Sequence, residues 1–262
     1  MNEPTCVVTG FCTLLFLFAG GSVVAEDSAV TTSWSAGLEY SSGTYGGDAD
    51  IEDLYLPVSF SLDLPRISFD VTVPYLSVRG PAGTIVTDPG GEPVPGSGPT
   101  VTESGLGDVI AGITVYDLVY SETLGLALDL TGKIKIGTAD ADKGLGTGEQ
   151  DFTVRADLYK YLDQFTLLGS LGYKFRGDPD YVDLKNVLIA SVGGVYYLSD
   201  TSSVGLILDY REAAIVDSDA VSELSAFVSR ELSDAWSIQF YLFTGFSDSS
   251  SDWGGGFSLS VS

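Results

Sequence analysis

The chain contains no histidine, and this absence limits the chemistry that it can perform. None of its 262 residues is histidine, and only two are cysteine. A serine or cysteine nucleophile therefore cannot be activated by a neighbouring imidazole. Carboxylates are numerous, but no spacing marks a pair held at catalytic separation. We therefore predict neither an enzyme nor a cofactor nor a specific metal site.

Both cysteines, Cys6 and Cys12, fall within an uncharged, strongly apolar stretch near the start of the chain. This pattern, ending in small residues up to Ala25, predicts a signal peptide over residues 1–25. No Lys or Arg precedes the apolar run, so an uncleaved anchor helix remains an alternative. Cleavage after Ala25 would leave residues 26–262 without cysteine, which excludes disulfides and thiol chemistry. Export without cysteine suits a Gram-negative envelope.

Basic residues are also scarce, with 12 Lys and Arg against 36 Asp and Glu, for a net charge of −24. Such a field repels nucleic acid, which is therefore excluded as a partner. The charged fraction of 18% is low for a soluble protein, and 44% hydrophobic residues is too few for a helical membrane protein. The 32 glycines and the 11% aromatic content favour an all-β chain.

Beyond the signal, apolar and polar residues alternate with period two. Ile67 and Phe69, for example, share one face of a run, whereas Asp70 and Thr72 share the other. About twelve such runs of roughly ten to thirteen residues follow one another, which is the length that a tilted membrane-spanning strand needs. We predict that residues 26–262 form a single antiparallel transmembrane β-barrel of about twelve strands.

The connections between these runs alternate between short and long. The short turns are 63–66, 120–123, 162–164, 198–202 and 232–235, and the long polar loops are 42–52, 79–104, 137–149, 176–185, 213–220 and 247–251. Outer-membrane barrels have tight periplasmic turns and longer external loops, so this pattern also predicts periplasmic termini. The loop 79–104 is rich in Pro and Gly; we expect it to form no ladder and to be mobile or folded into the mouth.

Tyrosines recur near the strand ends, where amphipathic rings suit the headgroup level of a membrane. We interpret them as interfacial girdles, although strand propensity alone would also enrich tyrosine. The residues concerned are Tyr40, Tyr55, Tyr75, Tyr116, Tyr120, Tyr159, Tyr161, Tyr173, Tyr196, Tyr197 and Tyr241.

If the apolar faces meet lipid, the opposite faces point into the barrel and carry ionisable residues of both signs. The predicted lumen-lining residues are Glu39, Asp70, Asp108, Asp129, Lys133, Lys135, Arg155, Asp157, Lys174, Asp209 and Arg211. They form either an internal salt-bridge network or the lining of a pathway, and one set can do both. About twelve strands lie between the eight that side chains fill and the sixteen that leave a wide channel, so a narrow polar passage is expected.

The long loops hold most of the acids, among them Asp140 and Asp142 beside the glycine-rich stretch 143–152. A strand follows this stretch instead of a helix, which excludes a phosphate-binding loop. With Asp140 counted as position one, Gly144 and Leu145 occupy positions five and six, which excludes an EF-type calcium loop. An external hairpin tip remains. The loop acids are either solvated or bind divalent cations weakly, bridging to lipopolysaccharide.

Two stretches resemble the family of outer-membrane proteins named for the meta-pathway of phenol degradation. The matching residues are Gly105, Leu106, Gly107 and Asp108, then Gly144, Gly146, Thr147, Gly148 and Asp151. Gly137 stands where the family has proline, and the chain ends without the terminal aromatic usual for barrel assembly. The resemblance implies a bacterial outer-membrane channel for small, often aromatic or hydrophobic solutes.

Such a channel would have membrane lipid, lipopolysaccharide and the barrel assembly machinery as partners. Two alternatives to a channel remain open at this point. One is a plugged structural or surface-binding barrel whose acidic loops bind cations or a partner. The other is a soluble secreted β-sandwich.

Overall fold

The computed structural model describes residues 5–10, 15–20, 30–216 and 218–262, and the cleavage site predicted at Ala25 lies outside these ranges. One short 3₁₀ helix, Ala141–Lys143, accompanies the strands. The strands are β1 Thr5–Gly10, β2 Leu15–Gly20, β3 Thr31–Gly43, β4 Ile51–Asp63, β5 Ile67–Pro81, β6 Ile85–Asp88, β7 Gly91–Val94, β8 Thr100–Leu106, β9 Val109–Ser121, β10 Leu126–Ile136, β11 Asp151–Leu162, β12 Phe165–Phe175, β13 Val187–Ser199, β14 Ser202–Arg211, β15 Val221–Glu231, β16 Trp236–Gly245 and β17 Trp253–Val261. Among the described residues, no helix combines the length and the apolar character needed to cross a membrane.

Twelve strands close into one antiparallel barrel, which confirms the predicted fold. Around the wall, β3 is followed by β4, β5, β9 and then β10 to β17 in chain order, and β17 pairs with β3 again. β8 leads into β9 through Gly107 and Asp108 and pairs with the outer half of β5. Each wall strand thus has a partner on both sides, so no open backbone edge faces lipid. β1 and β2 form a separate hairpin.

The two faces of the wall differ as the alternation predicts. Val71 and Leu242 are 41% and 68% exposed on the outer surface, whereas Asp70, next to Val71, is only 8% exposed. Successive side chains of a strand point to opposite sides, so the apolar residues face the membrane and their neighbours face the interior.

The girdle interpretation holds for part of the tyrosines only. Tyr75, Tyr120, Tyr173 and Tyr196 are between 41% and 48% exposed on the outer surface. For the inward positions the interpretation was wrong, because Tyr55, Tyr116, Tyr159, Tyr161, Tyr197 and Tyr241 share their face with interior residues such as Asp53, Thr114 and Gln239. Strand parity decides which side a ring occupies, and nearness to a strand end does not.

Two opposed prolines interrupt the wall at one height. Pro57 of β4 lies opposite Pro74 of β5, and neither has a backbone N–H to donate. Beside Pro57, residues 37 and 38 of β3 lack a partner in the β3–β4 register. Beside Pro74, β5 changes its partner from β9 to β8. The β4–β5 pair is therefore joined to its two neighbours by interrupted ladders.

The loop predicted over 79–104 contains more structure than we expected. β5 and β8 continue to pair as far as Pro81 and Thr100, and β6 and β7 form a hairpin between them. The prediction that this loop forms no ladder was wrong, because most of its prolines and glycines lie in turns or at strand ends, and Pro93 lies within the two-stranded β6–β7 hairpin, which has open edges. Pro89 and Gly90, with φ +78° at Gly90, form the hairpin turn. Val86 and Asp88 are 2% and 3% exposed, which confirms the alternative that the loop folds into the mouth.

Candidate functional site: the barrel interior

One band of the inner wall is apolar. Its members, which we call the apolar row, are Ala127, Tyr159, Leu168, Val195, Ile207, Phe227, Tyr241 and Phe243. Inward residues of neighbouring strands lie side by side in the register, as Tyr159 with Ala127 and with Leu168, and Phe227 with Tyr241. One end of the row lies near the short turn that follows β11 at Leu162. The other end is Phe243, close to the external loop that follows Gly245. It therefore runs along the wall from the periplasmic side to the mouth.

Glycines on adjacent strands give the large rings of this row their space. A Cβ at Gly205 would collide with the ring of Phe227, and one at Gly254 with the ring of Phe243. The rings therefore lie against the wall instead of standing across the lumen. The interior glycines of β17, beside the β3–β17 pairing, have the same function for Tyr241 at Gly256.

Polar rows lie next to the apolar row on its external side. The acidic row consists, in register, of Asp129, Asp157, Ser170, Ser191, Asp209 and Glu223. One inward step nearer the mouth, Arg155 and Arg211 occupy the equivalent row on β11 and β14. The Nε of Arg155 donates to Asp157 at 2.9 Å, and Ser191 donates to Asp209 at 2.6 Å. Charges of opposite sign thus face each other along the strands inside the wall.

The eleven predicted lumen residues all lie on the inner side of the wall. Eight are less than a tenth exposed, namely Glu39, Asp70, Asp108, Asp129, Lys135, Arg155, Asp157 and Lys174. Lys133, Asp209 and Arg211 are half-buried. Some hold the framework: Asp129 accepts the backbone N–H of Asp117 at a bulge between β9 and β10, at 2.9 Å. Glu39 accepts a hydrogen bond from the hydroxyl of Tyr241, at 3.0 Å.

The β6–β7 hairpin, which we call the plug hairpin (residues 84–95), is attached to the inner wall through Asp88. The carboxylate of Asp88 forms ion pairs with Lys174 and, at 3.0 Å, with Arg176. These two cations, with Lys135 and Arg211, form what we call the basic patch. Burial alone would raise the pKa of the Asp88 carboxyl, but the basic patch, above all Lys174, holds that pKa below its ordinary value.

The two family-motif stretches meet in space at Lys135. Its ammonium donates to Thr147 of the glycine-rich loop at 3.2 Å and to the Thr87 carbonyl of the plug hairpin at 2.9 Å. The same ammonium pairs with Asp151 at 3.0 Å and with Asp108 at 3.5 Å. A single buried cation therefore joins the β8–β9 junction, the glycine-rich loop, β11 and the plug.

Backbone contacts reinforce this junction. Asp108 accepts the backbone N–H groups of Thr138 and Ala139, at 3.0 Å and 2.9 Å. Val86 of the plug hairpin donates to the carbonyl of Gly144, which has φ +69°. The stretch 143–152 is thus packed against the plug, and its buried Leu145 is only 1% exposed. It is more than the external hairpin tip that the sequence predicts.

Sequence reasoning missed three parts of this interior: the apolar row, Asp88 and Arg176. Strand parity was enough to find the apolar row, because Phe227 and Tyr241 occupy the same face as Ser229 and Gln239. Nothing local indicates the pairing of Asp88 with Arg176, since 88 positions separate them in the chain.

Two clefts open to the outside on either side of the plug hairpin. One, of about 320 Å³, lies between Pro93, Ile215 and Asp248, and the other, of about 400 Å³, between Ile85, Glu103 and Tyr181. Among the described residues, no three acids, cysteines or histidines are grouped so as to hold a metal ion. Weak cation binding by the loop acids stays a prediction.

Comparison with known proteins agrees with this architecture. The model of the family described as "Putative MetA-pathway of phenol degradation" matches residues 57–262. The chain belongs to this family. No curated protein matches the sequence. The resemblance carried by the glycine-rich stretches is thereby confirmed, and the protein is an outer-membrane β-barrel of this family.

Solved structures share the fold at low sequence identity. An outer membrane channel from Pseudomonas putida F1 aligns with a TM-score of 0.72 at 12% identity, covering 92% of this chain and 99% of that one. The NanC porin has a TM-score of 0.54 at 8% identity, covering 87% and 99%. The KdgM porin has a TM-score of 0.53 at 8% identity, covering 88% and 98%. These likenesses show the barrel fold and exclude the secreted β-sandwich.

Proposed function

We propose that this barrel lets small solutes with apolar, often aromatic, bodies pass the outer membrane by diffusion, without catalysis. The apolar row is the observation that carries the proposal. Eight apolar side chains, four of them aromatic, run along the inner face of the wall. In outer-membrane barrels this face is generally polar. Family membership supports the same solute class through the family's link with phenol degradation.

The energetics of the apolar row suit passage better than retention. The side chains of the row are at most 7% exposed, so the area gained belongs mainly to the solute. Covering about 100 Å² of a solute's own apolar surface against the row contributes about 2.5 kcal/mol at ~25 cal/mol per Å². Binding of this strength concentrates a solute in the barrel and still releases it quickly. The polar rows beside the apolar row keep water and ions in the same passage, which makes the channel measurable by its ion current.

Planar-bilayer recording of the purified, folded barrel tests the proposal. We expect channel openings whose ion current phenol reduces more than an equal concentration of glycerol does. Replacing Phe227 and Phe243 by serine should weaken the block by phenol and leave the effect of glycerol unchanged. The matched control is Phe240→Ser, because Phe240 is 50% exposed on the outer face of the same strand as Phe243.

The plugged barrel is the competing function, favoured by the buried attachment of Asp88 to the wall. Replacing residues 84–95 by a short Gly–Ser linker distinguishes a channel from a permanently plugged barrel. A gain of current on this replacement means that the plug is a removable closure of a channel. Silent bilayers for both the intact and the shortened barrel, with folding shown by heat-modifiable gel migration, would support the plugged barrel and contradict passage.

A further inference from the structure

The positive charge of this acidic protein is concentrated inside the barrel. Six of its 12 basic residues face the interior, namely Lys133, Lys135, Arg155, Lys174, Arg176 and Arg211. They lie on neighbouring strands of one side, between β10 and β14. In a chain of net charge −24, such clustering needs a specific reason, because buried cations are costly unless they are paired.

The plug hairpin supplies one of the counter-charges. At the centre of the cluster three cations, Lys135, Lys174 and Arg176, are matched by three carboxylates, Asp88, Asp108 and Asp151. Asp108 and Asp151 belong to the wall, whereas Asp88 belongs to the hairpin. Withdrawal of the hairpin therefore removes one of the three carboxylates from these cations on the inner wall. A single carboxylate from another source would restore the balance.

The tip of the plug hairpin also separates this positive charge from the apolar row. Gly90 and Gly91, beside Asp88, line a gap of about 10 Å³ together with Arg211 and Phe243. The gap is no larger than a water molecule. When the tip leaves, the guanidinium of Arg211 and the ring of Phe243 adjoin the space that it vacates, together with the carboxylate of Glu223, which accepts a hydrogen bond from Ser251. The tip thus places the carboxylate of Asp88 and the adjoining backbone of Gly90 and Gly91 in a space that a small carboxylate with an apolar body would otherwise occupy.

We propose that the basic patch and the adjoining end of the apolar row bind small carboxylates with an apolar body, such as aromatic acids. Asp88 occupies the carboxylate position in the closed barrel, and an incoming acid displaces it and releases the plug hairpin. The inference rests on the proposed function and narrows its substrate class. Arg176 and Lys174 bind the carboxylate, and Phe243 contacts the apolar body.

Equilibrium binding of benzoate to the folded, detergent-solubilised barrel tests the site directly. Asp88→Asn removes the internal competitor, so we expect benzoate to bind at least about tenfold more tightly than to the unaltered protein. Adding Arg176→Met to that variant should abolish the gain. Benzyl alcohol, which has the ring and lacks the charge, should gain much less than benzoate from the same substitution. Asp140→Asn is the matched control, because it removes an acid that is half exposed in the neighbouring loop.

Recording the unaltered barrel in a bilayer gives a second, independent measurement. Benzoate should raise the open fraction of the channel severalfold, and the same concentration of acetate or chloride should do so less. Equal binding by the Asp88→Asn variant and the unaltered protein, or an equal gain for benzoate and chloride, would overturn the inference. Current without benzoate binding leaves the proposed passage standing and rejects the site, whereas binding in silent bilayers does the reverse.

Discussion

At the scale of single residues, Lys135 explains why two distant stretches of the family motif occur together. Its ammonium contacts Asp151, Thr147 and the carbonyl of Thr87, and it is 5% exposed. The glycines of the motif make room for this arrangement: a Cβ at Gly146 would lie 2.7 Å from the carboxylate of Asp108. The motif is therefore a structural junction between wall and plug.

Removal of the charge at this junction should be costly. In Lys135→Met the carboxylates of Asp108 and Asp151 remain buried beside an apolar side chain, and we expect the free energy of unfolding to fall by about 3–5 kcal/mol. Urea unfolding in lipid vesicles measures this change. Lys143→Met is the control, because its pair with Asp140 is about half exposed and should contribute at most about 1 kcal/mol. Equal effects of the two substitutions would contradict the role of Lys135.

Tyr241 gives a second test at the residue scale. Its hydroxyl donates to Glu39, which is 2% exposed. Tyr241→Phe keeps the ring and leaves a buried carboxyl without this donor, so we expect a loss of about 1–3 kcal/mol in the same unfolding experiment. Tyr75→Phe, on the lipid-facing side at 44% exposure, should change stability much less. A loss as large for Tyr75→Phe would show that the hydroxyl of Tyr241 does not stabilise the interior.

At the scale of elements, the plug hairpin is the part on which the proposed control of the channel depends. Its carboxylate, Asp88, has a pKa below the ordinary value because Lys174 and Arg176 outweigh the effect of burial. A lowered folded-state pKa gives stability that is complete above the unfolded value of about 3.9 and is lost only as the pH falls through the folded value. The attachment should therefore persist in mildly acid solution.

This attachment predicts how the channel responds to pH. Between about pH 8 and pH 5 the carboxylate of Asp88 keeps its charge, so we expect the open fraction in a bilayer to stay within about twofold. The Asp88→Asn variant, which lacks the ion pairs, should have a higher open fraction across the same range. Recording both proteins over this series tests the point. A steep rise of the open fraction of the unaltered barrel at pH 5 would contradict it.

Strands and turns could be predicted from the sequence, whereas the contacts of the plug could not. Period-two alternation determines which side of a wall a residue faces, so the outward positions of Val71 and Leu171 followed directly. The pairing of Asp88 with Lys174 joins segments 86 positions apart, and no local pattern encodes it. The inward tyrosines were misassigned because tyrosines that line the interior and tyrosines at the membrane interface both lie near strand ends. Only their position in the in–out alternation of the strand distinguishes them.

At the scale of the whole molecule, the alternation of loop lengths predicts the orientation in the membrane. The loops after β12 and β14 are long and those after β11 and β13 are short, which places the former outside the cell. Since Cys6 and Cys12 are the only cysteines, a single cysteine introduced elsewhere after their replacement gives a specific label. Asp180→Cys should react with a membrane-impermeant maleimide on intact cells, and Asp163→Cys should react only after lysis. The opposite result would invert the orientation.

The opposed prolines Pro57 and Pro74 have a mechanical consequence for the barrel. Register shifts interrupt single ladders at β9–β10 and β13–β14, but at the β4–β5 pair the ladders on both sides are interrupted at one height. We therefore expect this pair to give way first when the surrounding bilayer bends the barrel. In this expectation the β4–β5 pair is the most compliant sector of the barrel, and its second strand leads into the plug hairpin.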